Sequence, residues 1–318
     1  MKVSVITPTF NRNYIEHAWR SLENQTDRRF EWIIVDNGSA PEHLDLLESI
    51  AKRASFKVVL ADEHTRGPSA CRKKAESLAE GDFFAYLDDD DEYSPDAIAQ
   101  WCADVEKNNS DVSVLRAFNC VYKYGKMKFV FNRPNANLEK ALKDRLGKFD
   151  AALKTSFPRM LYRRSFVEKS GSWDLSLRSR EDIDFMLRVL LLEPKITMTA
   201  AGSYECLKTT GIDKYMKPEF AESVLNSFRK IIGYTKGTYA EEKIRKYIGA
   251  DVRNRWLKIS LFFPELGEKY KSFAQSLGFE CPDSLPKRKL LRLLKAPARN
   301  FPLLAEFYYK TKNLIKDR

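Results

Sequence analysis

GDFFAYLDDDDEYSP, residues 81–95, places a short apolar run directly before a cluster of acids. The run from Phe83 to Leu87 is rich in aromatic side chains and predicts a buried strand that ends in a polar loop. Four adjacent aspartates repel one another, so they need either a bound cation or full solvation. Because carboxylate oxygens are preferred ligands of Mg²⁺, Mn²⁺ and Ca²⁺, the cluster predicts a divalent metal site. The alternative is a solvated turn in which Ser94 caps the next helix and Pro95 begins it.

Strand and helix patterns alternate through the sequence that precedes this stretch. Three further strands are predicted at Val3 to Ile6, Glu31 to Val35 and Lys57 to Ala61, and helices at Tyr14 to Leu22, His43 to Arg53 and Pro68 to Ala79. This alternation predicts an α/β fold with a Rossmann-like, mainly parallel sheet flanked by helices. The polar residues at 7–10, 36–39 and 88–91 follow strands, so we expect them to meet at one edge of the sheet.

Composition limits the class of protein. The chain has 318 residues, 43% hydrophobic and 31% charged, which is typical of a globular protein of about two domains. The net charge of +11 indicates an anionic partner. Five scattered cysteines without a Cys-x-x-Cys pair favour reduced thiols in a cytoplasmic protein, and no apolar run is long enough to span a bilayer.

The pattern changes in the remaining two thirds of the chain. Antiparallel strands, or a hairpin around Gly125, are predicted from Val112 to Leu115, Asn119 to Tyr124 and Met127 to Phe131, followed by a helix at Leu138 to Leu146. From Lys214 onward the pattern is helical, with breaks near Gly233, Pro264 and Pro282. The last 32 residues, 287–318, carry ten Lys or Arg and two acids, so most of the net charge lies there.

Several motifs, taken in order, resemble glycosyltransferase family 2. They are VSVITPTFNR at 3–12, SLENQT at 21–26, FEWIIVDNGS at 30–39, RGPSACRKKAESLAEGDFFAYLDDDDEYSPDAI at 66–98 and GSWDLSLRSREDIDFMLRVL at 171–190. The resemblance implies a GT-A catalytic domain at 1–205, in which 1–95 bind the nucleotide sugar and 96–205 face the acceptor. Residues 206–318 are then expected to form a helical, basic C-terminal region.

The resemblance also implies a set of nucleotide-binding residues. Thr7, Pro8 and Phe10 would frame the base, Asp36 would hydrogen-bond it, and Arg66 or Arg72 would reach the nucleotide. A carboxylate can accept the N–H of uracil and an aromatic ring can flank it, so UDP is the expected nucleotide. From the residues alone, without the neighbouring motifs, Asp36 in Asp-Asn-Gly-Ser favours an Asx-turn.

Within the acid cluster, Asp88 and Asp90 align with the Asp-x-Asp motif of the family. The resemblance implies that Asp90 binds Mn²⁺ or Mg²⁺ directly, and that Asp88 and Asp89 hold the ribose or a metal-bound water. Four adjacent aspartates permit a slip of one residue, so this division stays open. A metal that bridges the two phosphates would stabilise the departing nucleoside diphosphate.

A second acid group, Glu181 and Asp182, precedes an amphipathic run. From the residues alone, acids in the first turn of a helix favour simple capping with Ser179 or Ser176. The resemblance instead implies that Asp182 is the base that deprotonates the acceptor hydroxyl and that Glu181 positions hydroxyls, with Asp184 as the next candidate base. A single base without a second nucleophile implies inversion at the anomeric carbon. Trp173 is either a platform for a sugar ring or a core residue.

The expected function is metal-dependent, inverting transfer of a sugar from a nucleotide sugar, with UDP preferred, to a hydroxyl of a cell-surface glycan or a lipid-linked acceptor. A sugar nucleotidyltransferase is the alternative enzyme, but it requires a glycine-rich loop after the first strand and residues 7–12 contain no glycine. A nucleic-acid-binding module is suggested by charge alone, so no nucleic-acid partner is expected. The basic segment 287–318 is expected to lie on an anionic membrane surface, which predicts peripheral attachment to the inner face, or to pack on the catalytic domain or another subunit of a homo-oligomer.

Overall fold

The computed structural model describes residues 1–124, 127–132, 144, 146, 147, 149, 157–208 and 217–281. The chain divides into two compact units, residues 1–248 and 249–318. The domain boundary predicted at residue 205 stays a prediction. The helix predicted at Leu138 to Leu146 falls mostly outside the described residues, and the basic segment 287–318 lies wholly outside them.

The first unit is built around a seven-stranded sheet with the strand order β10-β6-β9-β4-β1-β2-β3. Its strands are β1 (Val3–Thr9), β2 (Phe30–Asp36), β3 (Val58–Asp62), β4 (Phe83–Tyr86), β6 (Val112–Val114), β9 (Met160–Arg163) and β10 (Ile196–Met198). The pairs formed by β1 with β2, β1 with β4, β2 with β3 and β6 with β10 are parallel, whereas β9 runs antiparallel to both of its neighbours. The mainly parallel sheet is as predicted.

Helices cover this sheet, which explains why its central strands read as continuous apolar runs. Every residue of β2 and β4 is buried, as expected for parallel strands with both faces covered. The helices of the described chain are α1 (Ile15–Glu23), α2 (Pro41–Arg53), α3 (Pro68–Leu78), α4 (Ala97–Asn108), α5 (Arg164–Lys169), α6 (Glu181–Leu191), α7 (Pro218–Thr235), α8 (Glu241–Phe262) and α9 (Pro264–Ser276). In α1, the buried residues Ile15, Ala18 and Leu22 recur at helical spacing. The three helices predicted before residue 80 are confirmed to within one or two residues at each end.

A second sheet of four strands has the order β5-β11-β7-β8. It comprises β5 (Asp91–Tyr93), β7 (Ala117–Tyr124), β8 (Met127–Asn132) and β11 (Ser203–Lys208). The predicted hairpin is confirmed, because β7 pairs antiparallel with β8.

Strand β5 corrects the prediction that the whole acid cluster is a loop. Residues 91–93 pair antiparallel with β11. The side chain of Tyr93 is buried there, with its ring edge-on against Trp101 and Tyr204, which stabilises this short strand. The next helix begins at Ala97 with Asp96 as its N-cap, two residues later than the alternative interpretation of Ser94 and Pro95 requires. The Ser94 hydroxyl instead donates to the Asp96 carboxylate at 2.7 Å.

The second unit, from residue 249, is held by close packing at two glycines. Gly249 faces the ring of Phe279, and Gly267 faces Ser260, so that a Cβ at either position would overlap its neighbour. Tyr270 and Ala274 of α9 are fully buried. The predicted helical character is confirmed as far as residue 281, and across the described ranges we find no helix with the length and apolar character needed to span a bilayer.

Replacing Gly81 by alanine tests the packing at the start of β4. A Cβ there would lie 2.6 Å from Ser4 Oγ, 2.7 Å from Ser4 N and 2.9 Å from Lys2 O, two of them backbone atoms. We expect Gly81→Ala to lower the free energy of unfolding by about 1–3 kcal/mol, measured by urea denaturation. In the control variant Gly233→Ala, within α7, the new methyl group meets no atom within 4 Å. Because alanine favours a helix more than glycine does, the free energy of unfolding should stay unchanged or rise by up to about 1 kcal/mol. Equal effects of the two substitutions would contradict this packing.

Candidate active site

The carboxyl ends of β1, β2 and β4 meet at one edge of the large sheet. Thr9 and Asp36 are register partners there, and the amide of Leu87 donates to Ile6 O at 2.9 Å, which extends the pairing of β4 with β1. The chain then turns tightly, because the amide of Asp91 donates to Asp88 O at 3.1 Å. We call residues 88–91 the acid turn. The predicted convergence of the three strand ends is therefore confirmed.

The far end of the acid turn is fixed by the second sheet. The Tyr204 hydroxyl donates to the Asp91 carboxylate, and the Tyr93 hydroxyl donates to Tyr86 O at 2.8 Å and Pro158 O at 3.3 Å. Asp91 is buried by these contacts. Asp88, Asp89 and Asp90 are left as the carboxylates at the sheet edge.

Two of these carboxylates share one arginine. Arg12 Nη1 lies 2.6 Å from Asp90 Oδ2 and 3.3 Å from Asp89 Oδ1. The Thr9 hydroxyl donates to Asp89 Oδ2 at 2.9 Å and lies 3.0 Å from His43 Nε2. Burial, opposed by Arg12 and Thr9 and reinforced by the neighbouring aspartates, raises the pKa of Asp89 to about 7. Burial also raises the pKa of Asp90. Burial thus disfavours the charged forms of Asp89 and Asp90, and Arg12 and Thr9 oppose that effect.

Arg72 of α3 connects the acid turn with the second acid group. Its Nη2 donates to Asp88 Oδ1 at 2.8 Å, and its Nη1 lies 3.9 Å from Glu181 Oε1. Arg72 is 5% exposed, and its guanidinium carbon lies 4.6 Å from the ring centroid of Trp173. Within the described residues, Arg72 Nε and Nη1 have no hydrogen-bond partner. The two acid groups, 93 residues apart from Asp88 to Glu181, therefore lie on either side of one buried cation.

Glu76 sits one turn after Arg72 on α3 and fixes the surroundings of that arginine. Its carboxylate accepts hydrogen bonds from the Tyr86 hydroxyl at 2.6 Å, the Trp173 indole at 2.7 Å and the Ser172 hydroxyl. Trp173 is fully buried and stacks on Phe185 with centroids 4.4 Å apart. The core interpretation of Trp173 is thus correct, and the sugar-platform interpretation is wrong, since the ring has no free face.

The N-terminus of α6 carries the second acid group. Glu181 and Asp182 are partly exposed, and burial, followed by repulsion from Asp182, raises the pKa of Glu181. The N-cap is Arg180, with a left-handed backbone (φ 58°) and no side-chain cap bond, so the predicted caps at Ser179 and Ser176 are not formed. Asp184 is buried in an ion pair with Arg188 at 2.7 Å, which gives it a structural role.

The residues expected around the nucleotide differ in exposure. Phe10 is half-exposed and Arg66 is exposed, whereas Thr7 is buried with its hydroxyl accepting from the Trp32 indole at 2.8 Å. Pro8 is partly buried. Asp36 Oδ2 accepts from the amides of Gly38 and Ser39 at 2.9 and 2.8 Å, the Asx-turn that the sequence left open.

The second carboxylate oxygen of Asp36, Oδ1, differs from Oδ2 in its hydrogen bonding. It is buried, and among the described residues it has no hydrogen-bond partner. One oxygen of Asp36 therefore shapes the turn, and the other is buried without a hydrogen-bond partner among the described residues.

The donor set of the acid turn fits a divalent cation that is shared with a ligand. Asp88 and Asp90 are hard oxygen donors that keep access to solvent, with 36% and 18% of their side chains exposed. Burial, and after it repulsion from Asp88, raises the pKa of Asp90. In the parts of the chain that the structure describes, no three acidic, histidine or cysteine side chains are arranged to hold a metal by themselves. Mg²⁺ is commonly held in this way, by one or two carboxylates together with substrate phosphates.

Four contributors to the site were missed by sequence reasoning: Thr9, Arg12, Glu76 and Asn37. Asn37 Oδ1 accepts from the amide of Gly67 at 2.9 Å, and its Nδ2 donates to Glu63 O and Thr65 O, so it holds the loop that carries Arg66. Glu76 lies in an amphipathic helix, where a charged residue ordinarily indicates a solvated face. The local sequence pattern around each of these four residues does not distinguish it from an ordinary surface or loop residue, because its contacts are with residues distant in sequence.

Comparison with known proteins places these features in a family. Residues 4–171, just over half of the chain, match the family described as Glycosyl transferase family 2. The chain is 26% identical over 266 residues to a poly(ribitol-phosphate) beta-glucosyltransferase of Bacillus spizizenii, over 82% of this chain and 41% of that relative. It is 26% identical over 210 residues to the poly(ribitol-phosphate) beta-N-acetylglucosaminyltransferase TarS of Staphylococcus aureus, over 64% of this chain and 35% of that relative. The chain thus spans about two fifths or less of the length of these curated relatives.

Solved structures share the fold at low identity. A crystal structure of S. aureus TarS 1-349 in complex with UDP-GlcNAc matches with a TM-score of 0.65 and 22% identity, over 98% of this chain and 92% of that one. The mannosyltransferase PcManGT from Pyrobaculum calidifontis, in complex with GDP-Man and Mn²⁺, matches with a TM-score of 0.60 and 17% identity, over 99% and 85% of the two chains. The predicted fold class is confirmed by this likeness.

Substitution of Glu76 tests the hydrogen-bond cluster that surrounds Arg72. In Glu76→Gln, the remaining carbonyl can accept from Tyr86 and Trp173 while the new amide donates to Ser172, so stability at neutral pH should change little. In Glu76→Leu, buried donors lose their acceptor, and we expect a loss of about 1–3 kcal/mol for each donor left unpaired, measured by urea denaturation.

The pH dependence of the same variants gives a second readout. Burial raises the pKa of Glu76 above its ordinary 4.5, so the folded state binds this proton more tightly than the unfolded state. That contribution to stability is complete below pH 4.5 and is lost as the pH rises through the raised pKa. The free energy of unfolding of Glu76→Gln relative to the parent chain should therefore increase over this window, and a difference independent of pH would contradict the buried ionisable carboxyl.

Proposed function

This chain belongs to glycosyltransferase family 2, and from that premise we propose that it transfers a sugar, with inversion, from a UDP-sugar to a hydroxyl of a cell-surface glycan or a lipid-linked saccharide. The observation that carries the proposal is the placement of Arg72 between Asp88 of the acid turn and Glu181 beside Asp182. One acid group can thus serve the leaving diphosphate and the other the incoming hydroxyl within a single site.

The nucleotide is bound at the ends of β1 and β2. Asp36 Oδ1, which has no partner among the described residues, accepts the N–H of uracil, and the half-exposed ring of Phe10 flanks the base. Pro8 and the backbone at Thr7 complete the frame, while Arg66 reaches the nucleotide from its exposed loop. Arg72 Nε and Nη1, which are buried and have no hydrogen-bond partner within the described residues, stabilise negative charge next to the acid turn. Two matching structures of S. aureus TarS 1-349 are complexes with UDP and with UDP-GlcNAc.

Asp182 performs the proton transfer. Its carboxylate removes the proton of the acceptor hydroxyl while that oxygen bonds to the anomeric carbon and the bond from this carbon to the diphosphate oxygen breaks, which releases UDP. Glu181 positions the hydroxyls beside it. Attack on the face opposite the leaving group converts an α-linked donor into a β-linked product.

Asp90 and Asp88 are the residues that would hold Mn²⁺ or Mg²⁺, with Asp89 supporting the turn through Thr9. When bound, the cation supplies Lewis-acid stabilisation of the departing diphosphate. Asp91 contributes by anchoring the turn to Tyr204 of the second sheet.

The acceptor class follows from the relatives. Two are named for transfer to poly(ribitol phosphate), and a third, from Campylobacter jejuni, for transfer to an undecaprenol-linked saccharide; the last is 33% identical over 100 residues, 31% of this chain and 32% of that relative. These names support a polyhydroxylated cell-surface polymer or its lipid-linked precursor as acceptor.

Replacement of Asp182 by asparagine tests the assignment of the base. We expect Asp182→Asn to lower the rate of sugar transfer by roughly 10²–10⁴-fold, because the amide cannot accept the hydroxyl proton. The binding of UDP, measured by calorimetry, should remain nearly unchanged. Transfer is followed by UDP release from UDP-glucose and UDP-N-acetylglucosamine with poly(ribitol phosphate) as acceptor.

A matched control for this variant is Asp62→Asn, which removes an exposed carboxylate on β3. It should transfer sugar at the rate of the parent chain. Full activity of Asp182→Asn would contradict its role as base.

Replacement of Asp90 by alanine tests the metal assignment. In the parent chain, Mn²⁺ should strengthen UDP binding, and in Asp90→Ala this gain should fall by about tenfold or more because a ligand is missing. The comparison uses calorimetric titrations of UDP with and without Mn²⁺. An unchanged effect of Mn²⁺ in Asp90→Ala would remove Asp90 from the metal site.

A further inference from the structure

Arg12 lies in the loop that follows β1 and reaches across to the acid turn. Its backbone is held in place by the preceding residue: the amide of Asn11 donates to Ser39 Oγ at 2.9 Å, and Asn11 Oδ1 accepts from the amide of Ala40 at 2.8 Å. The side chain itself is 50% exposed. Arg12 therefore combines a fixed backbone with a guanidinium that can leave its present partners toward solvent.

The Nη1 atom of Arg12 occupies the position between two carboxylates of the acid turn. It lies 2.6 Å from Asp90 Oδ2 and 3.3 Å from Asp89 Oδ1, each from the same nitrogen. A divalent ion bound to Asp90 Oδ2 would stand about 2.0–2.6 Å from that oxygen, which is where Arg12 Nη1 lies, at 2.6 Å. Two cations cannot share that volume, so Asp90 Oδ2 binds either Arg12 or a metal.

The second arginine of the site behaves differently. Arg72 is buried between Trp173 and the acid groups, and its pairing with Asp88 leaves it no path to solvent comparable to that of Arg12. Of these two arginines, Arg12 is therefore the one that can leave its carboxylate partners and bind another anion. The partner that it could take up is a phosphate, because the guanidinium fork matches phosphate oxygens in two parallel hydrogen bonds.

We propose that Arg12 is a displaceable cation which fills the metal position in the nucleotide-free chain and moves to the diphosphate of the donor when the metal binds. This inference rests on the proposed function, since it takes a nucleoside diphosphate and a divalent cation as the ligands. It makes metal and nucleotide binding cooperative: the metal must displace Arg12, and the nucleotide offers Arg12 a new partner.

The test measures Mn²⁺ binding directly, by electron paramagnetic resonance of free Mn²⁺, in the presence and absence of UDP. Without UDP, Arg12→Gln should bind Mn²⁺ about tenfold more tightly than the parent chain, because no charged hydrogen bond has to be broken. With saturating UDP the difference should vanish or reverse, because the variant lacks the contact to the diphosphate. The factor by which UDP strengthens Mn²⁺ binding should thus be smaller in Arg12→Gln.

Two further variants separate this role from simpler ones. Arg12→Lys keeps the charge and should stay close to the parent chain in its UDP-free Mn²⁺ affinity. Arg20→Gln removes an exposed arginine that pairs with Glu16 on α1, and should leave Mn²⁺ binding unchanged. Thermal denaturation confirms that each variant is folded.

Unchanged or weaker UDP-free Mn²⁺ binding in Arg12→Gln would overturn the inference: the first result means that Arg12 does not compete, and the second that it holds the aspartates in place for the metal. Either result leaves the proposed function intact provided that the parent chain binds Mn²⁺ with UDP. If the parent chain binds no Mn²⁺ even with UDP, the metal assignment of the proposed function fails along with the inference.

Discussion

The pairing of buried Arg72 with Asp88 on one side and Glu181 on the other is the constraint on which the site depends. Three carboxylates at the end of a strand and two at the start of a helix repel each other, and their approach requires a cation between them. Arg72 can serve because α3 lies next to the sheet and because Trp173 and Glu76 hold the surroundings of its guanidinium. Without this cation, the acid turn and α6 could approach only at the cost of uncompensated charge.

The rest of the first unit supports that arrangement. Parallel pairing of β1 with β2 and β4 brings three chain reversals to one edge, and the second sheet fixes the acid turn through Asp91 and Tyr204. The hydroxyl of Thr9 then orients Asp89. Strong burial and hydrogen bonding at the base of the turn leave Asp88 and Asp90 as the carboxylates with access to solvent, which is where chemistry with a charged ligand can occur.

The sequence was sufficient for strands β1 to β4 and β6 of the central sheet and for the locations of both acid groups, but β9 and β10 were not predicted. Apolar runs such as 30–36 predict buried strands because both faces of a parallel sheet are covered. Acidic residues clustered where such strands end indicate a binding site, because solubility alone does not require them at that position. The sequence was insufficient where a contact joins distant residues. Arg12 and Asp90 lie 78 positions apart, and the pattern around Glu76 predicts a solvated helix residue although its carboxylate accepts three partly buried hydrogen bonds. The interpretation of Trp173 could not be settled either, since an aromatic residue beside a site fits both a platform and a core.

A crystal structure of the chain with UDP and Mn²⁺, in which the manganese is located by its anomalous scattering, tests the central claim most directly. The account predicts a manganese peak at Asp90 in contact with the diphosphate, with Arg72 still between Asp88 and Glu181 and the Asp182 carboxylate facing the nucleotide. A manganese peak away from the acid turn, or residues 181 and 182 turned away from the nucleotide, would contradict it.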